Sequence, residues 1–185
     1  MKKRTVSLYR LSFAAMLLAL GFLLPFLTGQ IPRLGQLLCP MHLPVLLCGF
    51  LCGWPYGLAV GVITPLLRSL LLGMPPLFPT ALSMAVELGV YGLSSALLYG
   101  WLSRKKKLPA LYLSLVGAML VGRLAGGLVQ LLLLGLGQIS SYSLDMFLAA
   151  YVTGTLPGVL LQLLAIPPLV LLGERYLFKN GKLGS

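Results

Sequence analysis

The stretch PMHLPVLLCGFLCGWPYGLAVGVITPLLRSLLLGMPP, residues 40–76, sets the structural problem. It holds two apolar runs hinged at Gly53-Trp54-Pro55-Tyr56-Gly57, and its one full charge is Arg68. In water, such a pair of segments would need a large polar domain around it. The rest of the chain cannot supply one. Of 185 residues, 58% are hydrophobic and 9% are charged, and the mean hydropathy is +0.98. Soluble domains carry about 25% charged residues. A bilayer accepts an apolar exterior and demands that backbone groups bond within each segment. The expected class is an all-α integral membrane protein, folded as one domain over residues 1–185.

Reading outward from this pair, four further apolar segments complete a bundle of six spans. They are expected at 7–27, 42–53, 55–72, 79–102, 108–134 and 145–172. The loop between the first two carries Gln30, Pro32, Arg33, Gly35 and Pro40 and is turn-rich. The second span is short: about 11 residues give about 17 Å of helix against a hydrocarbon core of roughly 30 Å. It is tilted, re-entrant or continued by the next segment. The N-terminus resembles a secretory leader, but its apolar run is long and no small-x-small cleavage site follows, so it is read as a retained span. The last span is expected to bend near Pro157 or near Pro167-Pro168.

The net charge of +11 invites a nucleic-acid reading. The positions assign it to topology instead. Lys2, Lys3, Arg4 and Arg10 sit at the start of the chain, Arg104, Lys105, Lys106 and Lys107 separate the fourth span from the fifth, and Arg175, Lys179 and Lys182 follow the last. With both termini inside, all of these are cytoplasmic and the outer loops hold only Arg33. A multi-pass protein of the bacterial cytoplasmic membrane, in contact with the lipid bilayer and with no nucleic-acid partner, is expected.

Three ionisable residues fall inside spans: Arg68, Glu87 and Arg123. A charge at mid-bilayer costs at least about 2.5–3.5 kcal/mol, so such groups face a protein interior or a wet cavity. At about 1.5 Å per residue all three lie in the outer half, within about 10 Å of one depth. Two readings follow: a structural ion pair of Glu87 with either arginine, or an outward-facing polar pocket. Even with the pair, one guanidinium is left over, and its fork suits an anionic or strongly accepting ligand group. Thr64, Ser83, Tyr91, Gln130, Tyr151 and Thr155 extend the same helical faces, either as lining or as contacts between helices. His42 opens the second span, as a ligand contact or an interface histidine. Cys39, Cys48 and Cys52 read as small apolar packing residues. With one histidine in the chain, no metal and no cofactor are expected. Ala15 and Ala19 form a small-xxx-small pair, which serves packing within the bundle or docking of a partner helix.

The run Pro40-Met41-His42-Leu43-Pro44-Val45, the pair Gly49 and Gly53, Trp54-Pro55-Tyr56-Gly57-Leu58, and the segments around Thr64-Pro65-Leu66-Leu67-Arg68-Ser69 and Met84-Ala85-Val86-Glu87-Leu88 resemble the substrate-binding S components of energy-coupling-factor transporters. The likeness is nearest to the pantothenate- and related-vitamin-type branch. The Ala15-x-x-x-Ala19 pattern matches the family's alanine motif. The resemblance implies a subunit that binds a scarce vitamin or precursor from outside, then works with a coupling transmembrane subunit and two ATPases. The substrate-binding residues would be Arg68, Glu87, Arg123, His42, Thr64, Tyr91, Gln130 and Tyr151, and the docking residues Ala15 and Ala19. Pantothenate, a pyridoxine-type vitamer, a thiamin precursor or a cobalamin precursor would each fit.

The chain has no phosphate-binding Gly-x-x-x-x-Gly-Lys-Ser/Thr loop, so it does not hydrolyse ATP itself. Nor does it carry HExxH or a supply of nucleophiles and bases suited to an intramembrane enzyme. A stand-alone small-solute transporter and a non-catalytic membrane assembly protein are the competing readings.

Overall fold

The computed structural model describes residues 2–27, 40–103, 107–135 and 156–179, and among them every regular element is helical. The helices are α1 (Lys2–Leu27), α2 (His42–Cys52), α3 (Trp54–Leu72), α4 (Leu82–Leu102), α5 (Lys107–Gly135) and α6 (Leu156–Lys179). Five are long and apolar enough to cross a membrane, and α2 is the exception. The sequence-based boundaries hold closely for α2 to α5. Helix α6 runs through Pro167 and Pro168 to Lys179, past the expected end at residue 172. The expected start of that span, 145–155, lies outside the described residues.

The short α2 raises the question of how a helix of 11 residues serves a membrane protein. The answer is that it meets almost no lipid. All of its residues except Leu43 are buried, and α1, α3, α4 and α6 all pack around it. An apolar helix with no polar face is stable when it is enclosed on every side. Gly53, with φ +98°, ends α2 in a backbone conformation that L side chains rarely adopt. Pro55 then lies in the first turn of α3, where its missing N–H costs nothing. The GWPYG hinge is thus a tight junction between two packed helices.

Glycines let these helices touch backbone to backbone. A Cβ on Gly57 of α3 would lie 2.6 Å from the Gly92 carbonyl oxygen on α4 and 2.8 Å from the Gly49 Cα on α2. Without side chains at this seam, dispersion contacts and buried polar groups can hold the helices where lipid gives no hydrophobic drive. Buried hydroxyls bond within their own helices: Thr64 Oγ1 donates to the Val60 carbonyl at 2.6 Å, and Ser114 Oγ to the Ala110 carbonyl at 2.6 Å. On the outside, Leu124 is 73% exposed and Leu164 76%, as a lipid-facing surface requires.

The α3–α4 connection closes the end of the bundle where α3 finishes. Gly73 caps α3 in the left-handed conformation, its N–H bonding the Ser69 carbonyl. A tight turn over Leu77–Ala81, with Phe78 extended, then leads into α4.

Candidate functional site

At the end of the bundle where α2 and α4 begin, three helices bring polar side chains together. His42 stands at the first position of α2, with its Nε2 3.7 Å from Glu87 Oε1 on α4. That distance is longer than a hydrogen bond, so the contact is an ionic one when the imidazole is protonated. One turn deeper on α4, Tyr91 meets the His42 ring edge-on, with centroids 5.1 Å apart and planes at 70°. The Arg123 Nε–H of α5 donates to the Tyr91 hydroxyl at 3.3 Å. The result is a chain of contacts, Glu87–His42–Tyr91–Arg123, inside a membrane helix bundle.

Helix α5 approaches this closely because glycines face α4. A Cβ on Gly122 would lie 3.0 Å from the Tyr91 ring, and one on Gly126 would lie 2.8 Å from Glu87 Oε2. Close packing of α5 against α4 accounts for both. Gln130, one turn beyond Gly126 on α5, is also buried.

Arg68 sits on the other side of the same end. It is buried near the end of α3, and its Nε–H donates to the Met74 carbonyl in the α3–α4 connection at 3.2 Å. Its guanidinium lies 5.6 Å from the centre of the Phe26 ring on α1. Thr64, one turn deeper, bonds its own helix and touches the position of Gly21 on α1. It fits an interhelical contact. Ser83 likewise bonds the Thr80 carbonyl. Tyr151 and Thr155 lie outside the described residues.

One expectation is redrawn by the geometry. If Glu87 had a structural partner, charge alone nominated an arginine. The partner is His42. A usable signal was present in the sequence: His42 opens a span that enters from the same face as the span carrying Glu87. Among the described residues, no group of three or more His, Cys, Asp or Glu side chains is placed to hold a metal ion.

Helix α1 turns Ala14, Leu17 and Gly21 inward, while Ala15 and Ala19 are exposed on its outer face. Among the described residues, nothing packs over the alanine pair.

The opposite end of the bundle carries a feature that the sequence reading missed. The Tyr99 hydroxyl of α4 donates to Glu174 Oε1 of α6 at 2.7 Å, and Lys107 Nζ of α5 donates to Glu174 Oε2 at 2.9 Å. Phe50 of α2 packs edge-on against Tyr99, with centroids 5.4 Å apart. Glu174 is one of only three acidic residues in the chain, and that scarcity was the available clue. The lysine is largely exposed, so its ion pair contributes little. The buried tyrosine bond to a charged acceptor is worth about 1.5–3 kcal/mol. Tyr99→Phe is expected to lower the thermal midpoint of the detergent-solubilised protein by a few degrees and to leave ligand affinity unchanged. An unaltered midpoint would show that the clamp is idle.

No curated protein and no solved structure matches the chain. The family model described as "ECF transporter, substrate-specific component" matches residues 9–172.

Proposed function

The chain belongs to the ECF transporter substrate-specific component family, and on that premise we propose that it captures a water-soluble vitamin or vitamin precursor at the outer face of a bacterial cytoplasmic membrane. It then works with a coupling transmembrane subunit and two ATPases, which supply the energy that this chain does not. As a transporter subunit it binds and releases its cargo unchanged.

The reading adopts six spans with both termini inside. The observation that carries it is the separation of two kinds of polar end. Glu87, His42, Tyr91 and Arg123 converge where α2 and α4 begin. The basic residues Arg10, Lys107 and Arg175 belong to the opposite ends of α1, α5 and α6. The positive-inside rule then puts the converging groups outward, facing the medium from which a vitamin is taken. Arg68, Gln130 and Tyr151 complete the proposed binding set, and Thr64, proposed from its spacing, braces α3 against α1 beneath Arg68.

Native mass spectrometry of the protein released from detergent micelles tests this directly. One small molecule per chain is expected, either retained through purification or taken up from a mixture of water-soluble vitamins and precursors. A chain that neither retains nor takes up any of them is not a vitamin-binding subunit. In cells, uptake that persists without co-expressed ATPases would point to a stand-alone transporter.

The exposed alanines of α1 provide a separate test. The double substitution Ala15→Leu, Ala19→Leu adds bulk to a face that no other part of the described chain covers. Ligand affinity of the isolated subunit is expected to stay within about twofold. Co-purification with the coupling subunit is expected to fall at least tenfold, because small residues permit close helix approach. Undiminished co-purification would place the docking face elsewhere.

A further inference from the structure

Among the described residues, three buried side-chain polar atoms lack a hydrogen-bond partner: Arg10 Nε, His42 Nδ1 and Arg68 Nη1. The last two occur at the end of the bundle where the proposed site lies. Both side chains belong to residues more than nine-tenths buried, with His42 8% exposed and Arg68 7%. Leaving a buried polar group unpaired is destabilising, and more so when it is charged. Two such atoms at one end of a bundle mark groups that a ligand would complete.

The two side chains rise from helices that both pack against α1. Gly21 of α1 is the reference point: a Cβ there would lie 3.1 Å from Thr64 Cγ2 and 3.8 Å from Pro44 Cβ. His42 is two residues outward of Pro44, and Arg68 is one turn outward of Thr64. At about 1.5 Å per residue the two side chains start about 3 Å and about 6 Å above this shared contact. Both therefore stand at the same end of the bundle, on the outward side of the contact that α1 makes with α2 and α3.

Their chemistry is different. Arg68 has a permanent charge. Its known contacts are a backbone carbonyl and the Phe26 ring face, neither of which neutralises it. His42 turns Nε2 toward Glu87, which leaves Nδ1 as an acceptor in the neutral ring and a donor in the charged one. A ligand hydroxyl or amide can answer either state. Arg123, whose Nε–H is already given to Tyr91, acts by positioning that ring.

Resting on the vitamin-binding reading, we propose that the cargo is a small organic oxyanion, a carboxylate or phosphate, that also carries a hydroxyl or amide. The oxyanion binds Arg68 Nη1, and the hydroxyl or amide binds His42 Nδ1.

The test is thermal-shift binding of the full chain in detergent. The probes are water-soluble vitamins and precursors, each acid or phosphate paired with its neutral amide, ester or alcohol. At least one acid is expected to raise the midpoint, with its neutral partner at least tenfold weaker. Arg68→Gln is expected to lose that response at least tenfold, and Arg68→Lys to recover part of it. His42→Phe is expected to weaken the acid while sparing its preference over the neutral partner. If only neutral or cationic compounds stabilise the protein, or if Arg68→Gln binds the acid as the parent does, this assignment fails and the vitamin-binding reading stands. If no compound stabilises the parent, both fail together. Should Arg68→Gln not yield a monodisperse protein, the acid-to-neutral ratio of the parent and the Arg68→Lys response decide the matter.

Discussion

Gly92→Val is expected to abolish the folded protein. A Cβ at Gly92 would run into the backbone carbonyl of Gly57, and Gly57 in turn rests against the Gly49 Cα. A clashing side chain can rotate away, but a clashing helix backbone can only move as a whole. The substitution must therefore push α4 away from α3, and with it the buried layer of Leu88 and Tyr91. Overpacking costs typically about 1–3 kcal/mol where side chains can adjust, so a rigid seam loses more. Stability totals of about 5–15 kcal/mol leave little margin for that. The measurement is the monodisperse fraction of detergent-solubilised protein in size-exclusion chromatography, with near-complete loss expected. Gly100→Val is the control: nothing lies within 4 Å of a Cβ there, and its yield should match the parent. A Gly92→Val yield within twofold of the parent would show that α3 and α4 do not meet backbone to backbone.

The second large effect is expected at Glu87. This carboxylate lies between His42 on α2 and Gly126 on α5, so it links the three helices that form the proposed site. Glu87→Ala removes the carboxylate that faces a buried histidine and opens a space beside Gly126. Leaving a buried polar group without its partner costs about 1–3 kcal/mol. Every 1.4 kcal/mol is about tenfold in Kd, so a loss of roughly tenfold in ligand affinity is expected by titration calorimetry. Glu87→Gln keeps the shape and loses the charge. It should fold as well as the parent and bind more weakly, by less than the alanine variant does. If Glu87→Ala binds as tightly as the parent, the Glu87–His42 contact is structural only, and the ligand site lies elsewhere.

The residues differ in how readily the sequence disclosed them. Arg68, Glu87 and Arg123 stood out because charge is rare in an apolar chain and helical rise fixes approximate depth. Their partners could not be read that way. Depth says nothing about rotation around the helix axis. Rotation decides that Glu87 faces His42, that Arg123 reaches Tyr91, and that Arg68 turns toward Phe26 and the Met74 carbonyl. Thr64 illustrates the same limit: its spacing from Arg68 is one turn, yet its hydroxyl bonds Val60 and its methyl packs at Gly21. Tyr99 and Glu174 are 75 residues apart, a separation across which no local pattern carries information.

By itself, the sequence determined that this chain dissolves in lipid, that its regular structure is helical, where most helices begin and end, and that its second helix is too short to behave like the others. Those properties follow from composition, periodicity and the cost of unpaired backbone groups in hydrocarbon, all of which are local. Only the tertiary structure decided what the short helix is for, since enclosure on every side depends on four neighbours. It also decided which buried polar atoms are left without a partner. That outcome rests on the angles at which glycine-lined helices meet, and these emerge only when the whole bundle packs.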